Sequence, residues 1–266
     1  MSILRRLGER HWPPRLLYST YESRLLGELD RTRLPRHVAV LADGNRRWAR
    51  LNAPGQPLVI GYRAGADKLE EFVEWCDVVG IPVITLWVLS TENLERSSDD
   101  ELGPLLDVIQ ELVAKLAATM RWRIQIVGAL ELLPAGVARE LKQAAESTND
   151  VEGMNVNVAV SYGGRHELRD AVRSLLAERA AAGESLSEVA ETLEIQEISE
   201  HLYTKGQPDP DLIIRTSGEQ RLSGFLLWQS AHSEYYFCEA LWPDFRRVDF
   251  IRALRSYTER ERRYGR

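Results

Sequence analysis

Asp43, Gly44, Asn45, Arg46, Arg47 and Trp48 place a carboxylate, a glycine turn and two guanidinium groups in one short stretch. That combination suits the binding of a phosphorylated anion. Arginine forks match phosphate oxygens in shape and charge. Backbone N–H groups at a helix start add to them, and a carboxylate beside phosphates most often holds Mg²⁺. Arg46 and Arg47 would fall in the first turn of a helix, where the macrodipole disfavours cations, so a bound polyanion would account for both. Asp-Gly is also a strong hairpin signal. No alternating strand follows Gly44, so phosphate binding is favoured over a structural turn.

A second cradle is suggested by Arg215, Arg221 and Ser223 around the Ser217-Gly218 turn. A solvated basic loop is the alternative, weakened by the apolar run that leads straight into Arg215. A third polar cluster, residues 90–96 (STENLER), follows the apolar residues 83–89; its plain reading is a loop with Ser90 or Thr91 capping a helix. Residues 161–165 (SYGGR) again set glycines between a strand and a helix, which alone is a weak signal. Glu234 lies in the aromatic run 225–237, where a carboxylate needs a partner, and a shared Mg²⁺ would be one.

Elements must carry these residues. Residues 38–42 form a short apolar run of the kind buried on both faces of a sheet. Further strands are expected at 83–89, 123–127, 155–160 and just before Arg215, with helices from Arg46, through Val79, over 99–122, 134–147 and 167–182, and near 249–262. Residues 186–203 read as short helices. This alternation predicts an α/β fold with a mostly parallel central sheet flanked by helices. Open sheets of that kind carry sites at their carboxyl edge, so the polar motifs at four strand ends point to one crevice. Residues 1–34 read as a helical N-terminal extension and 35–266 as one catalytic domain.

Composition narrows the classes. A hydrophobic share of 44% and a charged share of 28% suit a globular chain. A net charge of −6 argues against a nucleic-acid partner. The two cysteines and five histidines show no metal-ligand spacing. No run is long enough for a membrane span and no signal peptide is evident. The expected location is cytoplasmic, with peripheral membrane contact through the basic N-terminal segment as the alternative. Neither the P-loop nor the Rossmann glycine pattern is present, which weighs against a phosphoryl transferase.

From about His37 to the C-terminus, these motifs resemble in order those of the cis-prenyltransferases, the undecaprenyl diphosphate synthase family. DGNRRWAR is similar to the family's DGNGRWA, STEN to its S-S/T-E-N, and SYGGR to its N-Y-G-G-R. The Arg46 variant resembles the short-chain (2Z,6E)-farnesyl diphosphate synthases. The resemblance implies condensation of isopentenyl diphosphate with an allylic diphosphate. It gives Asp43 the role of Mg²⁺ ligand in the allylic site, framed by Gly44, Asn45, Arg46, Arg47 and Trp48. It places Ser90, Glu92, Asn93 and Arg96 in a closing loop, Arg215, Arg221 and Ser223 on the isopentenyl diphosphate, and Glu234 as a second Mg²⁺ ligand. Arg263 and Gly265 match a C-terminal R-x-G motif that reaches a partner subunit, which implies a homodimer. The proton acceptor is open between the leaving diphosphate and a relay through Asn93. The family's Gly is Arg46 here, and Leu58 and Tyr62 stand at its basic and His positions. Val88 stands where long-chain relatives have Ala, which implies a C15 product from geranyl diphosphate. The rival readings are a longer-chain synthase and a non-catalytic partner subunit. Retention of Asp43, Arg47, Asn93, Arg215, Arg221 and Glu234 weighs against the latter.

Overall fold

Short runs of β-branched and apolar residues form strands that bury both faces only when helices cover them. In the computed structural model, β1 (His37–Leu41) is buried at every position. β2 (Val83–Trp87), β3 (Arg123–Val127), β4 (Asn155–Ala159), β5 (Leu212–Arg215) and β6 (Glu234–Phe237) complete a six-stranded sheet in the order β3-β4-β2-β1-β5-β6. Every pairing is parallel. The structure describes Gly27, residues 29–96 and residues 98–260, without the side chains of Arg96 and Asp99. Most of the expected N-terminal helix, and Arg263 and Gly265, lie outside the described residues.

The covering helices are α1 (Asn45–Asn52), α2 (Val59–Val79), α3 (Thr91–Arg96), α4 (Asp99–Ala118), α5 (Ala135–Glu146), α6 (Gly164–Ala181), α7 (Leu186–Thr192) and α8 (Ile195–Glu200). All belong to the unit Pro35–Phe245. Helix α9 (Arg247–Glu259) belongs to a second unit and opens with a reciprocal cap between Arg246 and Asp249. Among the described residues, no helix is long and apolar enough to cross a membrane.

The expected strands are all present, and β6 is an addition. It is a four-residue edge strand in the aromatic run, with none of the period-2 alternation that marks a half-buried strand. Register aligns the strand ends: Val127, Ala159, Trp87, Leu41, Arg215 and Phe237 form one row at the carboxyl edge. The chain leaves β1 toward β2 on one side and returns as β5 on the other, so the switch of strand order falls at β1 and β5. Ligand crevices open at such a point.

Below that row, a line of polar side chains crosses the sheet. The Pro208 carbonyl can only accept, so His37 Nδ1–H donates to it at 2.7 Å and Nε2 accepts from the Thr85 hydroxyl at 2.8 Å. Asn157 donates to Thr85 at 3.1 Å and exchanges two hydrogen bonds with Gln207, which donates onward to Gln125. Burial holds His37 neutral, with a pKa of about 4, despite opposing pulls from the Pro208 carbonyl and, less strongly, Asp211. The unfolded imidazole binds a proton below about 6.5 and the native one does not until about 4. His37 should therefore cost up to about 3 kcal/mol of stability as pH falls across that window, and nothing above it. Urea midpoints measured from pH 7.5 to 4 should drop less steeply in His37→Gln; identical slopes in both proteins would refute this.

Candidate active site

The turn after β1 is held from three sides. Thr216 Oγ1 accepts from Asp43 N at 3.0 Å and donates to Asp43 O at 2.8 Å. Trp242 N also donates to that carbonyl, at 3.0 Å. Gly44 caps α1 at φ +115°, and a Cβ there would lie 2.9 Å from Leu241 Cδ2, so both backbone shape and space require glycine. Asn45 packs on the backbone of α2, where a Cβ at Gly65 would fall 2.5 Å from Asn45 Oδ1.

Arg215 ends β5 in the register position beside Leu41. Its side chain is only 4% exposed, whereas that of Asp43 is 42% exposed. Arg215 Nη2 donates to Asp43 Oδ2 at 2.9 Å, and Nη1 donates to Ser223 Oγ at 3.2 Å and to the Arg221 carbonyl. One buried guanidinium therefore joins the two phosphate cradles read from the sequence. Arg47 donates to Ser217 O at 3.2 Å, with Glu219 3.6 Å away. Arg221 pairs with Glu219 and is 64% exposed. Ser90 Oγ accepts from Asn93 N at 3.0 Å, the cap expected at the start of α3.

These groups open onto a cavity of about 750 Å³. At its mouth stand Asp43, Ser90, Glu92, Asn93, Ser223 and four exposed arginines, Arg46, Arg47, Arg50 and Arg221, and the buried Arg215 also lines it. Its inner wall is apolar: Trp87, Val88 and Leu89 after β2, Leu69 from α2, and Leu105, Val108, Ile109 and Leu112 from α4. Trp87 is braced by Phe225, whose ring stacks on it at 5.0 Å. A charged mouth on an apolar pocket suits an amphiphile with an anionic head and a hydrocarbon tail.

Gly44, Asn45, Arg46, Arg47, Ser90, Glu92, Asn93, Arg215, Arg221 and Ser223 line the cavity as expected, and Tyr62 joins them. Trp48 does not; its indole N–H donates to Asp244 at 2.9 Å, tying α1 to the 242–244 segment. Glu234 does not either. It opens β6 opposite Leu212, three residues before the row of Arg215 and Leu41, so within one chain it is not brought to Asp43. About 10 Å of strand separates those rows. Residues 161–165 also stand off the cavity: Gly164 N donates to Gly224 O, so this motif buttresses the loop that carries Ser223. Tyr162 and Glu167 are paired beneath it, where burial raises both pKa values.

Sequence reasoning missed Thr216, Leu241, Trp242 and Arg50. Thr216 follows Arg215 directly, and strand alternation would have turned it away from its neighbour. The residues at 241–242 act through tertiary seating alone, which leaves no local pattern.

Metal chemistry can be judged from the donors. Among the described residues no group of three or more His, Cys, Asp or Glu could hold an ion by itself. Mg²⁺ in phosphate sites needs only one or two carboxylates, the substrate supplying the rest. Asp43, half-exposed at an arginine-lined mouth, fits that pattern.

A family model described as "Putative undecaprenyl diphosphate synthase" matches residues 41–265. The (2Z,6E)-farnesyl diphosphate synthase of Thermobifida fusca is 58% identical over 249 residues, 94% of this chain and 97% of that protein. That of Mycolicibacterium smegmatis is 56% identical over 261 residues, covering 95% and 98%. The short-chain Z-isoprenyl diphosphate synthase of Mycobacterium bovis is 54% identical over 260 residues, covering 96% and 98%. Among solved structures, lavandulyl diphosphate synthase from Lavandula x intermedia, in complex with dimethylallyl diphosphate, superposes with a TM-score of 0.79 at 30% identity, over 87% of this chain and 98% of that one.

Proposed function

Because the chain belongs to the undecaprenyl diphosphate synthase family of cis-prenyltransferases, we propose that this cavity condenses geranyl diphosphate with isopentenyl diphosphate to give (2Z,6E)-farnesyl diphosphate. The observation that carries the reading is the cavity itself, with arginines and Asp43 at the mouth and an apolar wall behind. The allylic diphosphate lies over the first turn of α1, where Arg46, Arg47 and the N–H groups after Gly44 take its charge. Arg221 and Ser223 hold the second diphosphate, and Arg215 fixes the distance between the two. The C1–O bond of the allylic substrate breaks as the double bond of isopentenyl diphosphate forms the new C–C bond. A proton then leaves C2 of the isopentenyl unit to set the cis double bond, and diphosphate departs with the C1–O electron pair. Arginines aimed at the leaving diphosphate stabilise charge that grows in the transition state. Trp87, Val88 and the α4 leucines keep water from the electron-poor carbon. Asp43 would hold Mg²⁺, which supplies Lewis-acid neutralisation of the leaving diphosphate. Asn93, lining the cavity from α3, is the candidate relay that passes this proton to the departing diphosphate.

Product length follows from the wall. Val88 lines the cavity directly after β2, as do Leu105, Val108, Ile109 and Leu112 of α4. A side chain larger than alanine narrows the path of the growing chain. Forcing a longer product past it costs about 1–3 kcal/mol, enough to disfavour a further condensation by about one to two orders of magnitude. Purified protein incubated with geranyl and isopentenyl diphosphates should yield mainly C15, resolved by mass and by retention against cis and trans standards. Val88→Ala should add C20 and longer products. Long polyprenyl diphosphates from the native enzyme would overturn the chain-length assignment, and absence of any product would overturn the reaction.

A further inference from the structure

One carboxylate beside the cavity is unused by the mechanism above. Glu101, in the first turn of α4, is 19% exposed and does not line the cavity. Its Oε1 accepts a hydrogen bond from the Tyr62 hydroxyl of α2 and lies 3.7 Å from Arg46 Nη1 of α1. Both of those residues do line the cavity. A single oxygen behind the wall therefore touches two groups in it, carried on three different helices.

The two contacts differ in kind. Tyr62 is buried and its hydroxyl sits directly on the carboxylate. Arg46 is 48% exposed and stands beyond hydrogen-bond reach of the same oxygen. An ion pair of that length and exposure is weak and is readily given up for a diphosphate, which carries more charge on more oxygens. Arg46 also sits at the positive end of the α1 dipole, so it gains from any nearby anion. Glu101 and the diphosphate are the two anions that contend for it.

We propose that Glu101 is a positioning residue that competes with the allylic diphosphate for Arg46. Tyr62 pins the carboxylate, so the guanidinium is the group that moves. It rests against Glu101 before the diphosphate arrives and returns there as the diphosphate leaves. The affinity that Arg46 contributes is then a difference between two ion pairs, which weakens diphosphate retention after each turnover. This rests on the assignment of the cavity to an allylic diphosphate.

The test is calorimetric binding of inorganic pyrophosphate, with Mg²⁺ and saturating isopentenyl diphosphate, to the full chain. Four proteins are compared: native, Glu101→Gln, Arg46→Gln and the double variant. Glutamine keeps an oxygen for Tyr62 and removes the charge. Glu101→Gln should bind pyrophosphate about three- to fivefold tighter than native. In the Arg46→Gln background, the same substitution should change affinity by less than about 1.5-fold. Unchanged or weaker binding in Glu101→Gln overturns the proposal. So does full tightening without Arg46, because the charge then acts on the ligand directly. A Glu101→Gln protein that does not fold assigns the residue to structure and likewise overturns the proposal. Failure of the native protein to bind pyrophosphate at all would instead overturn the diphosphate site itself.

Discussion

Asp43→Asn should lower turnover by about three orders of magnitude and leave the protein folded. The carboxylate follows the end of β1, half-exposed at the cavity mouth, and its backbone is locked by Thr216 and Trp242. Asparagine retains an oxygen for Arg215, so stability should change by only about 1 kcal/mol. What it loses is the charge that a divalent cation requires. Asp43→Ala should be equally inactive, and excess EDTA should silence the native enzyme. Near-native rates in the asparagine variant, or in native protein with EDTA, would remove Asp43 from the chemistry and magnesium with it.

Arg215→Ala should be nearly as damaging, for a different reason. Its guanidinium is buried and holds Asp43, Ser223 and the Arg221 carbonyl together. Its removal leaves a cavity and disconnects the two cradles. The KM values of both substrates should rise, kcat should fall by about 10²- to 10³-fold, and stability by about 3 kcal/mol. Arg221→Ala is the control, because the Arg221 side chain is exposed and pairs only with Glu219 among the described residues. It should raise the KM for isopentenyl diphosphate about 10- to 100-fold and leave the unfolding midpoint unchanged. If Arg215→Ala raised a single KM at native stability, the bridging role would be wrong.

The sheet was legible because its strands are apolar on both faces, and the helices because their stripes repeat at helical spacing. The candidate phosphate cradles were legible because arginines cluster next to glycine turns at strand ends. Other features depend on register, which local pattern does not carry. Glu234 reads as a site residue from its aromatic setting, yet β6 begins at it and runs toward the carboxyl edge, leaving it at the far end. Trp48 sits inside the best motif and turns to Asp244. Thr216, Leu241 and the Tyr62–Glu101 pair act across long separations, where single residues of ordinary type leave no periodic trace.

The seating of β1 between β2 and β5 has a consequence in time. Asp43 and Arg215 are 172 residues apart, so the ion pair that joins the two cradles cannot form until most of the chain exists. At ribosomal rates of about 5–20 residues per second, that wait is about 10–30 s. Throughout it, one edge of β1 presents unpaired backbone and apolar side chains to whatever else is near. Parallel pairing over such a separation also carries a large closure entropy. A nascent chain of this design is most exposed to misassociation just before its central strand gains its second neighbour, and the turn that carries Asp43 is locked only later still, when Trp242 arrives.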